Sequence, residues 1–491
     1  MAQGHPKGLY VCFGAEMFER LCYYGMRGLL ILYLTKALMN GDTRAIGIYG
    51  AYTALVFAAP VWGGKLADTI LGYKRAVVFG GVVMAIGEFL ILGGNEFWLF
   101  LGMSTIIVGN GYFKANISTL LGKLYKEGDP LRDSGFTIFY MGINVGALLA
   151  TVAVAPIGET FGFKWGFGLA GVGMLVGVAI FLKGQDKFEG AGEPPNMDLY
   201  RKWSKLVYLV SLAAIPALYA LINYGQDVAI LGQDLLFWIL IGLLVYVCFN
   251  LLRAGFQGGS VQRDRIIVMM ILMTFNVVFW ACFEQAGSSL TLFADRNVDR
   301  NVFDIYQMPA SQTQFFNPAF IIIFGSVFSV MWVRLAKIGK NPNIPMKFGL
   351  GIIQLGLGYL MLLVGNAIAG PEAMVPLYIL ALMYLLHTTG ELFLSPIGLS
   401  MVTKLAPRHM TGAAMGAWFL SFAFSMYAAA ALAKLTGAEG ESAEAVASIP
   451  PAESLMTYVN LFGKMGWVTV GIGLALVMLS KPLNKMMHGV E

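Results

Sequence analysis

Long apolar stretches separated by short polar ones dominate the chain. About fourteen stretches of roughly 20 residues or more recur along its length, and each is long enough to cross a hydrocarbon core of about 30 Å as a helix. They lack the alternation over about ten residues that is typical of a membrane barrel. The pattern therefore predicts an all-α polytopic membrane protein with about fourteen transmembrane helices.

Composition supports the same class. Of the 491 residues, 57% are hydrophobic and only 12% are charged, which is too few to give a soluble core a polar shell. The first apolar segment carries charges, unlike the core of a cleavable signal peptide, so we expect it to be retained as a helix. The four cysteines show neither a disulfide framework nor the spacing of a metal site. We therefore expect no metal ion and no cofactor.

The distribution of Lys and Arg orients the helices. When the N-terminus is placed in the cytoplasm, most of the Lys and Arg residues between apolar segments fall on the cytoplasmic side, where an excess of positive charge is the rule. Few remain outside: Arg44, Lys164, Arg296, Arg300 and Lys434. We therefore expect both termini in the cytoplasm and an even number of helices.

A polar break divides the chain. Residues 184–201 are rich in charge, Gly and Pro, as is typical of a connecting loop. Two spans near 203–223 and 234–254 follow, and we interpret them as lipid-facing accessory helices. The predicted organisation is an N-terminal six-helix bundle in 1–185, a cytoplasmic linker with two accessory helices in 186–262, and a C-terminal six-helix bundle in 263–491.

The two halves share a weak repeat. GGKLADTILGYKR (63–75) and RLAKIGKNPNIPMKFGLG (334–351) each follow the second helix of their half, in the predicted loop. Two six-helix halves with a site near the membrane midplane are the architecture of the major facilitator fold. In that superfamily a similar charged loop latches the two halves together on the cytoplasmic side. The resemblance assigns Asp68 a gating role.

Charged side chains inside apolar segments are the strongest functional signal, because they are costly in a membrane and mark functional sites. In the first helix, five polar side chains fall within an arc of about 100°, with Glu19 at its flank: Glu16, Arg20, Tyr23, Tyr24 and Arg27. An internal salt bridge between Glu16 and Arg20 would explain one pair of charges but not a whole polar face. We expect this face to line a cavity.

The charges of the two halves have opposite signs. The first half supplies the cations Arg20, Arg27 and Lys114, and the second half supplies the anions Glu284 and Glu391. A free di- or tripeptide is a zwitterion whose termini lie about 7 to 10 Å apart when extended. A site that accepts many sequences should bind both charged ends and contain the side chains loosely. The opposition of charge suits such a ligand.

The first helix carries a recognisable motif. Glu16, Glu19 and Arg20 form an ExxER pattern followed by Tyr-Tyr-Gly, which resembles the proton-dependent oligopeptide transporter family. Four further stretches resemble patterns of that family in the same order along the chain: FYMGINVGA (139–147), FWACFEQAGSS (279–289), FNPAFI (316–321) and GELFLSPIGLSMVTKLAP (390–407). The resemblance implies the major facilitator fold of bacterial members, with the accessory helices between the two bundles.

This resemblance implies roles for individual residues. The peptide carboxylate would be held by Arg20, Tyr24 and Lys114, and the amino group by Asn144, Asn317 and Glu391. Trp280, Trp418 and Phe419 would form walls, and Arg27, Tyr52 and Ser395 complete the predicted substrate site. Hydrogen bonding between packed helices is the alternative for the two Asn residues, and ordinary packing is the alternative for the aromatic ones.

Coupling to protons is assigned to Glu16, Glu19, Arg20 and Glu284. A carboxylate that loses its cation to an arriving peptide carboxylate should take up a proton. Arg27 and Glu284 form a second predicted switch, a bridge that closes the external side and breaks when Glu284 is protonated.

These observations predict a proton-coupled symporter that imports di- and tripeptides by alternating access. The alternative is a family member that transports nitrate or another small anion or conjugate. A membrane enzyme is not expected, because neither an HExxH helix nor a Gly-x-Ser-x-Gly elbow is present. The expected partners are peptides, protons and the lipid bilayer of a bacterial inner membrane, with no nucleic acid, and the expected functional state is a monomer.

Overall fold

The computed structural model describes residues 4–126, 129, 131–407, 411–436, 444 and 448–490. The chain separates into two compact units. Met1–Leu38 and Ala51–Asp234 form unit 1, and Met39–Gly50 and Leu235–Glu491 form unit 2. The expected boundaries at 1–185, 186–262 and 263–491 stay predictions.

Unit 1 is built from helices. Its elements, with α2 shared between the units, are α1 (Lys7–Leu32), α2 (Asp42–Ala58), α3 (Pro60–Leu66), α4 (Tyr73–Ile91), α5 (Glu96–Lys123), α6 (Arg132–Leu149), α7 (Ala155–Phe161), α8 (Phe163–Lys183), α9 (Met197–Ala213) and α10 (Ile215–Tyr224). Single π-helical turns extend three of them, at Tyr33–Ala37, Ala67–Leu71 and Ala150–Val154, and a 3₁₀ turn lies at Gln185–Phe188.

Unit 2 is also mainly helical. Its helices are α11 (Leu235–Gln257), α12 (Gly259–Phe283), α13 (Ser289–Asn297), α14 (Phe316–Lys337), α15 (Ile344–Ile368), α16 (Leu377–Leu405), α17 (Thr411–Lys434) and α18 (Pro451–Met486). Turns of 3₁₀ helix lie at Glu284–Gly287 and Ser311–Phe315. The short strands are β1 (Val298–Asp299), β2 (Asn301–Val302), β3 (Tyr306–Gln307) and β4 (Val375–Pro376). β1 pairs in parallel with β4, and β2 pairs antiparallel with β3.

The number of membrane-length helices agrees with the prediction. In the described residues, eleven helical segments are long and apolar enough to cross a membrane. Three more helices are of membrane length but more polar or more highly charged, with 26 residues in α1, 19 in α4 and 28 in α5. Together they make about fourteen spans, as expected for a bilayer core of about 30 Å.

The accessory helices are mostly exposed, as expected for surfaces that face lipid. Only 6% of the most apolar window is buried in the span made by α9 and α10, and 17% in α11. The first accessory helix belongs to unit 1, where the hydroxyl oxygens of Ser211 and Tyr112 lie 2.5 Å apart. The second belongs to unit 2, where the rings of Phe237 and Tyr427 pack with centroids 5.8 Å apart.

An ion pair connects the first turn of α2 with the rest of unit 2. Asp42 accepts hydrogen bonds from both terminal nitrogens of Arg296, at 2.6 and 2.9 Å. Arg296 also donates to the hydroxyl of Tyr458 at 3.1 Å. A bidentate pair of this kind is among the stronger side-chain interactions. It fixes the segment from Met39 to Gly50 to the second unit.

Small residues bring α4 and α5 into backbone contact. A Cβ atom placed on Gly80 would lie 2.5 Å from the carbonyl oxygen of Gly109, and one placed on Gly109 would lie 2.6 Å from that of Gly80. Gly87 and Gly102 approach each other in the same way. Close packing through small residues drives helix association in membranes, where the hydrophobic effect between helices is absent. This contact positions α5 beside the charged face of α1.

We expect Gly109→Val to destabilise the protein strongly. The added side chain must push α5 away from Gly80, and overpacking of this kind costs typically 1–3 kcal/mol or more. Thermal unfolding of the purified protein in detergent should show a clear fall in melting temperature. Gly242→Val on α11 is the control, because a Cβ atom there meets nothing within 4 Å. Equal melting temperatures for the two variants would contradict the close-packing interpretation.

Candidate functional site

A cluster of three charges on α1 is the centre of the candidate site. The Nε atom of Arg20 lies 2.9 Å from a carboxylate oxygen of Glu16 and 2.5 Å from one of Glu19. All three side chains are buried. The pairing of Glu16 with Arg20 follows from helix geometry, since residues four apart lie on the same face, whereas Glu19 is the sequence neighbour of Arg20. The cluster therefore holds two carboxylates on one guanidinium, inside an apolar segment.

Asn110 fixes the second carboxylate of this cluster. Its side-chain amide, on α5, donates a hydrogen bond to Glu19 at 3.2 Å and is fully buried. Asn110 was not among the predicted site residues. A polar residue inside an apolar segment is the signal that could have found it.

The cluster has unused hydrogen-bonding capacity. Within the described part of the chain, Nη2 of Arg20 and one carboxylate oxygen of Glu16 are buried and have no hydrogen-bond partner. A buried polar group without a partner costs about 1–3 kcal/mol, more when it is charged. A ligand with its own carboxylate could satisfy the donor of Arg20. The geometry therefore suits binding of an anionic group.

Aromatic rings surround the second cation of the site. Lys114 Nζ lies 3.5 Å from the ring centroid of Phe57 and 5.6 Å from that of Tyr23. The guanidinium of Arg20 lies 5.5 Å from the same Tyr23 ring. Lys114 also interacts electrostatically with Glu16. Tyr23 thus links Arg20 and Lys114, which the sequence analysis placed at the same end of a substrate.

The other predicted residues of unit 1 lie at different places. Arg27 is buried, with its guanidinium 5.7 Å from the ring centroid of Tyr24. Tyr52 is buried, and its hydroxyl has no hydrogen-bond partner among the described residues. Asn144 donates to the carbonyl of Tyr140 on its own helix at 3.0 Å. That bond within α6 differs from the hydrogen bond between helices that was the alternative for Asn144.

In unit 2 the structure brings Asn317 and Glu391 together. The side-chain amide of Asn317, on α14, donates to a carboxylate oxygen of Glu391 on α16 at 2.9 Å and to the hydroxyl of Thr388 at 3.1 Å. The carboxylate is buried. These two residues, both assigned to the amino end of a peptide, therefore form one acceptor group.

The remaining predicted residues of unit 2 lie at different places. Glu284 is buried at the start of the 3₁₀ turn after α12 and interacts electrostatically with Glu391. Trp280 and Trp418 both pack on Phe422. The centroid of the Phe422 ring lies 5.2 Å from that of Trp280 and 5.7 Å from that of Trp418. Phe419 and Ser395 are half-buried. The two Trp residues form one aromatic group, as a common wall requires.

The predicted gating residue Asp68 lies on helix, not in a loop. It belongs to the π-helical turn Ala67–Leu71, is exposed, and accepts a hydrogen bond from the hydroxyl of Tyr73. The chain turns only at Gly72, whose φ of 73° favours glycine. The prediction of a loop at this position was wrong, because the helix continues beyond α3 as a π-helical turn.

The linker supplies the partner of the basic residues after this turn. Glu193 forms ion pairs with Lys74 and with Arg75, the latter at 3.1 Å, and the Arg75 guanidinium stacks on Tyr200. The hydrogen bond from Lys74 holds the pKa of Glu193 below its usual range. These residues and their neighbours line a cavity of about 330 Å³. The linker is therefore fastened to the start of α4.

No group of three or more His, Cys, Asp or Glu side chains that could hold a metal ion occurs among the residues that the structure describes.

Similarity to known proteins identifies the family. The model of the POT family matches residues 74–449. The Uncharacterized transporter YclF of Bacillus subtilis (strain 168) is 34% identical over 99% of this chain and 96% of its own length. Dipeptide and tripeptide permease A of Erwinia pyrifoliae is 33% identical over 98% of this chain and 95% of its own length. A solved peptide transporter POT in complex with sulfate has a TM-score of 0.82 and 33% identity, covering 100% of this chain and 97% of that one.

Fold and relatives together define a multi-pass membrane transporter of the major facilitator fold. The chain belongs to the POT family, the family that its motifs resemble. The predicted fold class and the prediction of a transporter in place of an enzyme are confirmed. The predicted absence of a cofactor follows from the same membership.

We expect Glu193→Gln to lower stability modestly at neutral pH. Because the pKa of Glu193 is lowered by Lys74, its contribution is present above the ordinary pKa of a Glu and is lost as the pH falls through the lowered value. Glu193 is partly exposed, so the effect is that of a surface pair, about 0–1 kcal/mol. Melting temperatures of wild type and variant should differ at neutral pH and converge under acid conditions.

Glu189→Gln is the matched control for this prediction. Glu189 lies in the same linker and forms no ion pair with the described residues. If the difference in melting temperature between wild type and Glu193→Gln stays constant down to strongly acid pH, the ion pair is not the source of that difference.

Proposed function

We propose that this transporter is a proton-coupled symporter that imports di- and tripeptides by alternating access. The observation that carries the proposal is the buried Arg20, held by Glu16 and Glu19 and left with an unsatisfied donor within the described residues. The name of the permease A relative, which specifies dipeptides and tripeptides, supports the same substrate class.

The peptide carboxylate binds to the cations of unit 1. Arg20, Arg27 and Lys114 outnumber Glu16 and Glu19 by one charge, which leaves this group of side chains suited to one anion. Hydrogen bonds to charged groups contribute about 1.5–3 kcal/mol each. Arg20 supplies a planar donor set that matches a carboxylate, and Tyr24 and Tyr52 complete the contacts at this end of the ligand.

The amino group of the peptide binds to the Asn317–Glu391 pair. The amide of Asn317 already occupies one carboxylate oxygen of Glu391 and holds it in place. An ammonium group then finds a buried, oriented anion. Trp280, Trp418, Phe419 and Ser395 contain the side chains of the ligand without selecting among them.

Proton coupling follows from competition for Arg20. An arriving peptide carboxylate displaces Glu16 or Glu19 from the guanidinium. A carboxylate left without its cation in an apolar site is costly, and it avoids that cost by taking up a proton. Each proton moved through a potential of 100 mV supplies about 2.3 kcal/mol, which is roughly fiftyfold in peptide accumulation.

Two gates complete the cycle. The pair of Arg27 and Glu284 closes the external side and opens when Glu284 is protonated, and Asp68 acts on the cytoplasmic side. The functional unit is a monomer, because a single chain carries both the cations for the carboxylate and the anions for the amino group. The protein lies in a bacterial inner membrane with both termini in the cytoplasm, as the distribution of Lys and Arg favours.

Nitrate transport is the alternative function. Nitrate has no amino group, so it would leave the Asn317–Glu391 pair without a role. The peptide assignment uses every charged residue of the candidate site.

Dialanine uptake into proteoliposomes tests the proposal directly. An inward proton gradient should drive uptake by the wild type, and Glu19→Gln should abolish gradient-driven uptake while retaining exchange of dialanine at zero gradient. Glu159→Gln, on α7 of the same unit, is the control for the chemical change and should transport normally. Folded wild-type protein that neither takes up nor exchanges dialanine would exclude the peptide assignment.

Glu391→Gln tests the amino end of the ligand. The substitution keeps the shape of the side chain but removes its charge, so dialanine should bind roughly ten- to hundredfold more weakly. N-acetyl-dialanine lacks the ammonium group, and its weaker binding should be the same in variant and wild type. Glu453→Gln, exposed on α18, is the control. Equal loss for both ligands would place Glu391 outside the amino-group site.

A further inference from the structure

Glu88 is a buried carboxyl group that the proposed mechanism does not use. It lies in α4, and none of its surface is exposed. A charged carboxylate in such a place is strongly unfavourable unless a cation or a set of hydrogen bonds compensates it. Its surroundings therefore decide its state.

The contacts of Glu88 do not compensate a charge. One carboxylate oxygen accepts a hydrogen bond from the thiol of Cys22 on α1 at 3.3 Å. The other oxygen is buried without a hydrogen-bond partner, and no ion pair of Glu88 occurs, within the described residues. A thiol is a weak donor. A single weak hydrogen bond does not hold a carboxylate in its ionised form.

The helices packed against this point supply few ionisable groups. From α2, Tyr52 interacts electrostatically with Glu88, and its own hydroxyl is buried without a partner among the described residues. From α8, a Cβ atom on Gly171 would lie 3.2 Å from that of Glu88, and from α5, the side chain of Ile106 would lie 2.6 Å from a Cβ atom on the neighbouring Gly87. From α1, Cys22 is the direct partner, and Glu19 and Arg20 lie farther along the same helix.

We propose that Glu88 is a second proton-binding residue of the transport cycle, linked to the cluster of Glu16, Glu19 and Arg20 through Cys22. In the conformation described here the carboxyl group carries its proton. Cys22 is two residues from Arg20 on α1, so a movement of α1 that accompanies peptide binding changes the surroundings of Glu88 directly.

The proton cycle balances without a further reactant. Where Cys22 of α1 contacts Glu88 of α4, the carboxyl group is buried and is a neutral carboxylic acid. Where the contact with Cys22 opens, water reaches the carboxyl group and accepts its proton. The accepting water lies on the cytoplasmic side, and the ionised carboxylate takes its next proton from external water in the outward-open state, so one proton crosses the membrane per cycle. Glu88 is thus a proton carrier whose state depends on the position of α1.

This inference rests on the proposed proton-coupled transport, and its first test uses Glu88→Gln in proteoliposomes. Gln has the shape of a protonated Glu, so folding and dialanine exchange should be retained. The number of protons moved per dialanine should fall. The accumulation driven by a 100 mV potential should drop by roughly fiftyfold, the contribution of one proton. Glu96→Gln, at the start of α5, is the matched control and should behave like the wild type.

A purely structural role gives a different result. If Glu88 is permanently protonated, Glu88→Gln leaves the proton-to-peptide ratio and the pH dependence of uptake unchanged while exchange is intact. That outcome would overturn the proposal. Cys22→Ser supplies a second readout: a stronger donor than a thiol favours the ionised form, so the pH at which uptake is half-maximal should move to lower values.

Chemical labelling of the wild type tests the protonated state without any variant. Dicyclohexylcarbodiimide reacts with protonated carboxyl groups in apolar surroundings. Mass spectrometry should locate an adduct on Glu88 at neutral pH, and dialanine should change its rate of formation. Absence of the adduct at neutral and acid pH would refute the protonated state. This result does not depend on transport, so it separates failure of the inference from failure of the proposed function.

Discussion

The structure of the candidate site depends on the binding of two carboxylates by one guanidinium on a single helix. Glu16, Glu19 and Arg20 neutralise most of their charge within about one turn of α1, which makes a polar face tolerable inside an apolar segment. The arrangement is also incomplete, because Arg20 keeps an unsatisfied donor among the described residues. A ligand that competes for Arg20 must therefore change the state of at least one carboxylate. In the proposed mechanism, binding and protonation are therefore connected at this residue before any movement of the helices is considered.

Packing of the helices protects that arrangement. The contacts of Gly80 with Gly109 bring α4 and α5 together, and α5 then presents Asn110 to Glu19. The same helix carries Lys114. Small residues thus set the distances at which the polar ones interact, since a side chain at either glycine would separate the helices. The apolar packing keeps water out of the polar site, and it holds the charged side chains at distances where they stay paired.

Much of the fold could be predicted from the sequence, because the length and hydropathy of each apolar segment determine whether it can cross a membrane as a helix. The search for charged side chains inside apolar segments also located α1, Lys114, Glu284 and Glu391. It did not include Glu88, although Glu88 is a charged residue within the apolar α4. Asn110 was not predicted because uncharged polar residues were assigned only from the polar face of the first helix and from the family resemblance. The pairing of Glu193 with Lys74 was beyond sequence reasoning, because nothing local connects a linker carboxylate with a helix more than a hundred positions earlier. The same holds for Asp42 with Arg296, which places the start of α2 in the second unit.

The membership of Met39–Gly50 in unit 2 has a consequence for how the gene could be divided. A cut in the connection between α10 and α11 separates the two long segments, but it leaves the residues that complete unit 2 on the N-terminal fragment. The C-terminal fragment alone would contain Arg296 and Tyr458 without Asp42. Neither fragment corresponds to one self-contained unit. The two fragments would have to be made together in one membrane, so that Met39–Gly50 of the N-terminal fragment can complete unit 2.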